Sequence, residues 1–264
     1  MARTTGTREW APHSDNCATG CEHNCKYCYA RYDAVRRWKR VPASAWTTPV
    51  LRTKSLKEKK KKLDGAVMFP TQHDITPSLL GACMKMIDKH LKAGNRLLIV
   101  SKPHLYCIDA ITEMVPDELK DQILFRFTIG SAKDEVLSFW EPGAPCFGER
   151  AASLKMAQRR GFETSVSSEP LLSPTVDDAL ALVAHLEPHV TQSIWIGMLN
   201  KAGSRVEIEG PEEQAELDRV LRGQTVENVR AIYEALKDQP LIRWKDSYKE
   251  ALGLDAAEES ELAD

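Results

Sequence analysis

The stretch Asn16-Cys17-Ala18-Thr19-Gly20-Cys21-Glu22-His23-Asn24-Cys25-Lys26-Tyr27-Cys28-Tyr29-Ala30 decides how the rest of the chain is read. Cys21, Cys25 and Cys28 follow one another at spacings of three and two intervening residues. Thiolates suit zinc, but structural zinc takes four closed ligands, usually supplied as two separate pairs. Three cysteines in one short loop fit instead a [4Fe-4S] cubane whose fourth iron lacks a protein ligand, a departure from the four-cysteine rule. Cys17, Cys21 and Cys25 form an alternative grouping, with a last spacing one residue too long. Cys17 is therefore read as structural, and His23 as a polar neighbour of the cluster.

An open iron of this kind binds the amino and carboxylate groups of S-adenosylmethionine and sets its sulfonium beside the cluster. One electron then cleaves the C5'–S bond to give a 5'-deoxyadenosyl radical that abstracts hydrogen from a substrate. The cofactors carry the hard chemistry and the protein supplies placement. An external one-electron reductant, such as a flavodoxin or a ferredoxin, is the partner this chemistry needs.

The chain has 264 residues, long enough for one sizeable core, and 42% of them are hydrophobic, which excludes a disordered or fibrous chain. The expectation is one catalytic domain over 1–250, followed by an acidic, flexible tail over 251–264. No apolar run approaches the roughly 18 residues that span a bilayer, and the N-terminus lacks the apolar stretch of a secretory signal. A cytoplasmic protein with no membrane partner is expected. Seven cysteines in such a compartment are thiols or ligands rather than disulfides.

The net charge of −2 conceals an asymmetry. Residues 1–62 hold fifteen Lys and Arg against five Asp and Glu. Such an excess points to an anionic partner near the N-terminal quarter, with DNA the expected one. The run Arg52 to Leu63 either lines a phosphate path or is a solvated, solubilising face.

Short apolar, β-branched runs alternate with segments of helical period, the pattern of βα units around a parallel sheet. Strands are expected over 65–69, 96–101, 122–129, 163–169 and 192–199. Helices are expected over 77–94, 149–161 and 175–187, with a helical extension over 211–238. One further strand before the cysteine loop makes about six units, fewer than the eight of a closed barrel. The fold class is therefore α/β, an open partial (β/α)6 TIM-type barrel with a C-terminal helical extension. Its functional residues belong at the C-terminal ends of the strands.

At the cysteine loop the chain resembles the radical S-adenosylmethionine superfamily. The continuation resembles its group around spore photoproduct lyase and the relatives labelled DNA repair photolyases. The resemblance runs from about residue 16 to 245. It rests on Gly20 before the first cysteine, Tyr27 and Tyr29 around the third, Thr71-Gln72-His73-Asp74, Ser101-Lys102, Glu141-Pro142-Gly143-Ala144-Pro145, and Glu149-Arg150. It implies that Lys102 and Thr128 contact the amino-acid or ribose part of the cofactor. Tyr27 and Tyr29 would flank cluster and adenine, and Thr71 and Asp74 would occupy the barrel mouth.

One departure bears on the substrate. The best-known relative uses a cysteine near the end of its second strand as hydrogen donor, where this chain has Met68-Phe69-Pro70-Thr71. Cys146 and Asp74 are the candidates left for catalysis. The resemblance and the basic quarter favour a nucleic-acid base, of thymine type, to be modified, rearranged or repaired. Trp38, Trp46, Trp140 and Trp195 are candidates to stack such a base. A small molecule or peptide is the alternative substrate, and a non-enzymatic iron–sulfur or zinc module the alternative to an enzyme.

Overall fold

The structure, a computed structural model, describes residues 6–254. The acidic run from residue 255 onward lies outside them. The described strands are β1 (His13–Ser14), β2 (Ala18–Thr19), β3 (Val50–Leu51), β4 (Val67–Phe69), β5 (Leu97–Ser101), β6 (Ile123–Thr128), β7 (Glu163–Ser168), β8 (Ile194–Ile196) and β9 (Ile242–Trp244). Seven of them form one sheet in the order β1-β4-β5-β6-β7-β8-β9, parallel throughout. Its two end strands do not pair with each other, so the barrel is open.

Both faces of this sheet are covered, which is why its strands read as near-continuous apolar runs. Alternation along each strand then sorts side chains between the two faces. Val67, Phe69, Leu97, Ile99, Ile123 and Phe125 join one large cluster with residues of the helices Leu80–Lys92, Leu105–Met114 and Val176–Leu186. Met68, Leu98 and Leu124, one residue out of phase, form a separate cluster with Ala11 and Ala66. The second face lines the barrel interior.

The expected strands and helices are present, most with shorter ends, the helix expected over 149–161 running instead over Phe147–Arg159, and the strand expected before the cysteine loop is β1. Three details refine the expected open barrel. The sheet has a seventh strand, β9, because Ile242–Trp244 pairs with β8 through Ile194 and Ile242; three residues were too few to show a period. The extension over 211–238 is two helices, Pro211–Arg222 and Val226–Leu236. They part at Gly223, where an added Cβ would meet Pro174 Cγ at 2.2 Å. Thr225 then caps the second helix by accepting from Asn228 N–H at 3.4 Å. The last helix, Asp246–Leu252, takes in Ala251 and Leu252, the first two residues assigned to the tail.

β2 and β3 pair antiparallel, Ala18 with Leu51 and Thr19 with Val50. This ladder closes a long excursion, 20–49, at its base, and all three cluster-type cysteines lie inside it. The lysine-rich run after β3 is tethered. Lys60 Nζ lies 2.6 Å from Asp15 Oδ2, and Asn95 donates to the Lys61 carbonyl at 2.9 Å. His90 Nε2 sits 3.1 Å from the same Asp15 oxygen. Burial works to raise the Asp15 carboxyl, but hydrogen bonds from His90, Lys60 and the Asn16 amide outweigh it and hold it well below the ordinary range.

A depressed carboxyl contributes stability that is present above its unfolded pKa, near 4, and lost as pH falls toward its folded pKa. Asp15→Asn is therefore expected to cost about 2 kcal/mol at pH 7. The variant should also lose less stability than the parent between pH 4 and pH 2. Urea denaturation across that range checks both.

Candidate cofactor site at the barrel mouth

The sequence-derived site residues come together because the sheet places them at neighbouring strand ends. The cysteine loop follows β1 and β2, Thr71 and Asp74 follow β4, Lys102 follows β5, and Thr128 ends β6. Of these, β1, β4, β5 and β6 are consecutive in the sheet order, and β2 belongs to the separate β2–β3 ladder.

Two glycines let the cysteine loop take its path. Gly20 has φ +99, and a Cβ on it would lie 2.7 Å from the Trp46 carbonyl oxygen. That carbonyl accepts the Cys21 N–H at 2.9 Å. Gly143, in the Glu141–Pro145 turn, packs so tightly on the loop that a Cβ would lie 2.3 Å from the Glu22 carbonyl oxygen. Its N–H donates to the His23 carbonyl at 3.1 Å, and Lys26 N–H donates to the Trp140 carbonyl at 2.9 Å. The C-terminal extension holds the same place from outside. Glu216 accepts from Trp140 Nε1 at 2.8 Å, and Glu213 pairs with Lys26 at 2.7 Å.

Asp74 is the hub. Its Oδ1 accepts the Lys102 N–H at 2.8 Å and the Ser101 hydroxyl at 3.1 Å. Its Oδ2 lies 2.8 Å from His23 Nδ1 and 3.6 Å from Lys102 Nζ. Burial raises the Asp74 carboxyl, but Lys102 and His23 beside it prevail and hold it well below the usual range. Burial lowers the Lys102 ammonium, and Asp74, with Cys25, Tyr27 and Glu141, overcomes this and holds it well above its ordinary value. Both groups are thus charged at neutral pH. From His23 the contacts continue outward, Nε2 to His104 Nε2 at 2.9 Å and His104 Nδ1 to Glu149 Oε1 at 3.7 Å.

Cys21 and Cys25 are buried and Cys28 is half-buried. Burial pushes the Cys21 thiol up to about 12, with the Asp74 charge adding to it. Burial also raises Cys25 and Cys28. Thiols in this state ionise when a metal supplies compensating charge. The sulfurs already accept main-chain donors, Cys21 from Asp74 N–H at 3.4 Å and Cys28 from Arg31 N–H at 3.3 Å. Amide hydrogen bonds to sulfur are what an iron–sulfur cluster requires of its surroundings. The donor set fits such a cluster.

Among the described residues, two groupings bring three ligand-type atoms within 4.8 Å of one another, and the Cys21, Cys25 and Cys28 triple is not one of them. In Cys17, His73 and Cys83, His73 Nε2 accepts from the Cys17 and Ala18 amides at 3.2 and 3.3 Å, so its lone pair is engaged. In Cys21, His23 and Asp74, the histidine and carboxylate hydrogen-bond each other. Neither supplies four free donors. Cys17 packs against Cys83, Sγ to Sγ 3.6 Å, in the core, as its structural reading requires.

Tyr27 and Tyr29 are each held by a hydroxyl bond. Tyr29 donates to the Thr71 carbonyl, and Tyr27 donates to Glu141. Lys102 Nζ lies 5.7 Å over the Tyr27 ring. Glu141 and Arg150 form an ion pair with both side chains fully buried. Arg150 also donates to the Pro145 carbonyl at 2.7 Å and the Thr128 carbonyl at 3.2 Å. Thr71 is locked through both its N–H and its hydroxyl to Asn16 at 2.8 Å.

Cys146 stands apart. It is exposed, in a surface groove with Asp134, Ser138 and Pro142, and no lining residue of that groove belongs to the cysteine loop. Of the four tryptophans considered for stacking, Trp46, Trp140 and Trp195 are buried, and only Trp38 is exposed.

Sequence reading missed a second charged centre inside the mouth. Lys245, after β9, is buried against Glu9 and lies 3.4 Å from Glu169, with its ammonium 4.0 Å over the Trp10 ring. Arg126 stacks over Trp10 at 4.6 Å and over Trp195 at 5.4 Å. These residues come from the N-terminal segment and from four strands or their ends, β6 to β9, so no local pattern joins them.

No family model matches the chain. An uncharacterised protein, ORF301, of Acidianus two-tailed virus is 25% identical over 209 residues, 73% of this chain and 68% of that protein. Streptococcus suis SuiB, solved bound to S-adenosylmethionine, superposes with a TM-score of 0.56 at 9% identity over 95% of this chain. The chain spans 54% of SuiB, which has also been solved bound to its precursor peptide SuiA. A spore photoproduct lyase variant superposes with a TM-score of 0.51 at 15% identity, over 86% of this chain and 74% of that one.

Breaking the Glu141–Arg150 pair from one side strands the other charge in the interior. Arg150→Met is expected to cost about 3–5 kcal/mol, and Glu141→Gln combined with Arg150→Met to recover much of it. A urea double-mutant cycle measures the difference. The architecture expected from the cysteine loop and its sequel is the one observed: an open parallel barrel of the fold of SuiB and spore photoproduct lyase.

Proposed function

We propose that the protein is a radical S-adenosylmethionine enzyme acting on a nucleic-acid base. The observation that carries the first part is the placement of Cys21, Cys25 and Cys28 in the loop that follows the first barrel strand, beside the Lys102–Asp74 pair from the next two strand ends. Cys21, Cys25 and Cys28 would hold the [4Fe-4S] cluster. A cluster held there, once reduced by an external one-electron donor, would supply the electron for reductive cleavage of S-adenosylmethionine.

The chain's own residues do the positioning. Lys102 is a fixed ammonium suited to the methionyl carboxylate. The partly buried Thr128 offers a hydroxyl for a ribose oxygen. The Tyr27 and Tyr29 rings give flat walls whose hydroxyls are already committed. Asp74 orients His23 and Lys102 and is read as a positioning residue. The exposed Cys146 lies in its own groove and is not supported as a hydrogen donor at this mouth.

The nucleic-acid part rests on the positive charge of the first 62 residues and on the resemblance to the spore photoproduct lyase group. The second reading, a peptide substrate, draws on the likeness to SuiB. Anaerobic reconstitution is expected to load about four irons. With dithionite and S-adenosylmethionine the loaded protein should release 5'-deoxyadenosine. Cys21→Ala, Cys25→Ala and Cys28→Ala should each abolish both, while Cys17→Ala keeps them. Stoichiometric zinc without cleavage would overturn the enzyme reading. Deuterium passing into 5'-deoxyadenosine from labelled DNA, and not from labelled peptide, selects between the substrates.

A further inference from the structure

Between the cysteine loop and β4 the chain makes an excursion whose sequence from Ala34 to Lys57 holds seven Lys and Arg and no Asp or Glu. Much of it is on the surface. Arg36, Arg37, Trp38, Lys39 and Arg40 are exposed in succession, as are Val50 and Leu51 on β3 and Lys54 after it. Buried indoles need no further explanation, because packing accounts for them. Trp38 is 45% exposed, and packing does not account for that.

The ring is set among guanidinium groups. Arg40 lies over it at 4.7 Å and Arg37 at 5.7 Å. Beside it opens a cavity of about 80 Å³, lined among others by Thr19, Tyr29, Asp33, Trp38, Arg40 and Arg52. Arg52 is fixed in that wall by a bond to the Thr19 hydroxyl at 2.9 Å and another to Gln72. Asp33, the acid on the wall, is neutralised by Arg37 at 3.5 Å. The cavity has room for a phosphate. The indole beside it is exposed to solvent and already lies under guanidinium groups, the surroundings in which a base can join the stack. Tyr29, which lines the cavity, is also the side chain bonded to Thr71 at the cofactor site.

We propose that this excursion is a binding platform for single-stranded DNA, in which Trp38 stacks one unpaired base and Arg40 and Arg52 hold a flanking phosphate in the adjoining cavity. An aromatic platform within a basic track is the general solution for holding single strands, because every base has a π-face and every linkage a charge. An acidic protein would find the same positive charge but has no use for an exposed indole stacked with guanidinium groups. The platform rests on the nucleic-acid reading above and assigns it a surface.

The test uses the full chain and a fluorescein-labelled oligothymidylate of roughly 16 nucleotides, with anisotropy measured across a salt series. The parent is expected to bind, with affinity falling steeply as salt rises. Trp38→Ala should weaken binding roughly 5- to 150-fold, the range for losing one stacked base, and leave the salt slope unchanged because no charge is removed. Trp38→Tyr should recover most of the loss. Arg40→Ala should lower the log–log salt slope by about 0.7, the value for one phosphate contact on a single strand. Melting temperature and iron content of each variant show that the fold is intact.

Parental binding that Trp38→Ala leaves unchanged overturns the platform and spares the nucleic-acid reading. So does a result in which both substitutions leave DNA binding intact but slow reduction by flavodoxin, which would make the surface a reductant dock. Absence of parental binding at low salt overturns platform and reading together.

Discussion

The Asp74 carboxylate is the constraint on which the barrel mouth depends. It follows β4, yet it fastens the Lys102 main chain and the Ser101 hydroxyl after β5, orients His23 in the cysteine loop, and gives its own N–H to Cys21. A buried carboxylate is tolerable only when paired and hydrogen-bonded. Here the same bonds that satisfy it bring three chain segments to one point. The cysteines, the ammonium and the carboxylate form a preorganised group whose members cannot move independently.

A second layer keeps that group from relaxing. The Glu141–Pro145 turn lies against the loop so closely that only Gly143 fits, and Glu141 with Arg150 carries a fully buried charge pair underneath Tyr27. Outside this turn, Trp140 and Lys26 are tied to Glu216 and Glu213 of the helix Pro211–Arg222. The C-terminal helices therefore act on the site through packing rather than through ligands. Close backbone approach and buried charge both penalise displacement steeply, so a loop of short elements keeps a defined shape.

Much of this was legible beforehand because the informative signals are local. A run of apolar residues such as Leu97–Ser101 marks a strand buried on both faces wherever it stands, and cysteines at fixed spacing declare a metal loop without reference to the rest of the chain. The Glu141–Pro145 stretch was visible as a pattern, but its physical role as a glycine brace and a buried ion pair was not. Short elements were harder. Ile242–Trp244 has too few residues to show a period, and Asp134–Trp140 is a helix of two turns. Lys245 meets Glu9 only because the sheet brings β9 and the N-terminal segment to the same interior.

By itself the sequence determined the alternation of strands and helices, the thiol set, and the positive charge of the first quarter, since these depend on residue types at short separation. Tertiary structure decided which of those residues work together. It buried Trp46, Trp140 and Trp195 and left Trp38 outside, and it set Cys146 in a groove of its own. It also tied Lys60 down to Asp15 while Lys54 stayed in solvent. Exposure, pairing and ionisation are properties of the surroundings a side chain acquires on folding, and those surroundings come from residues far away along the chain.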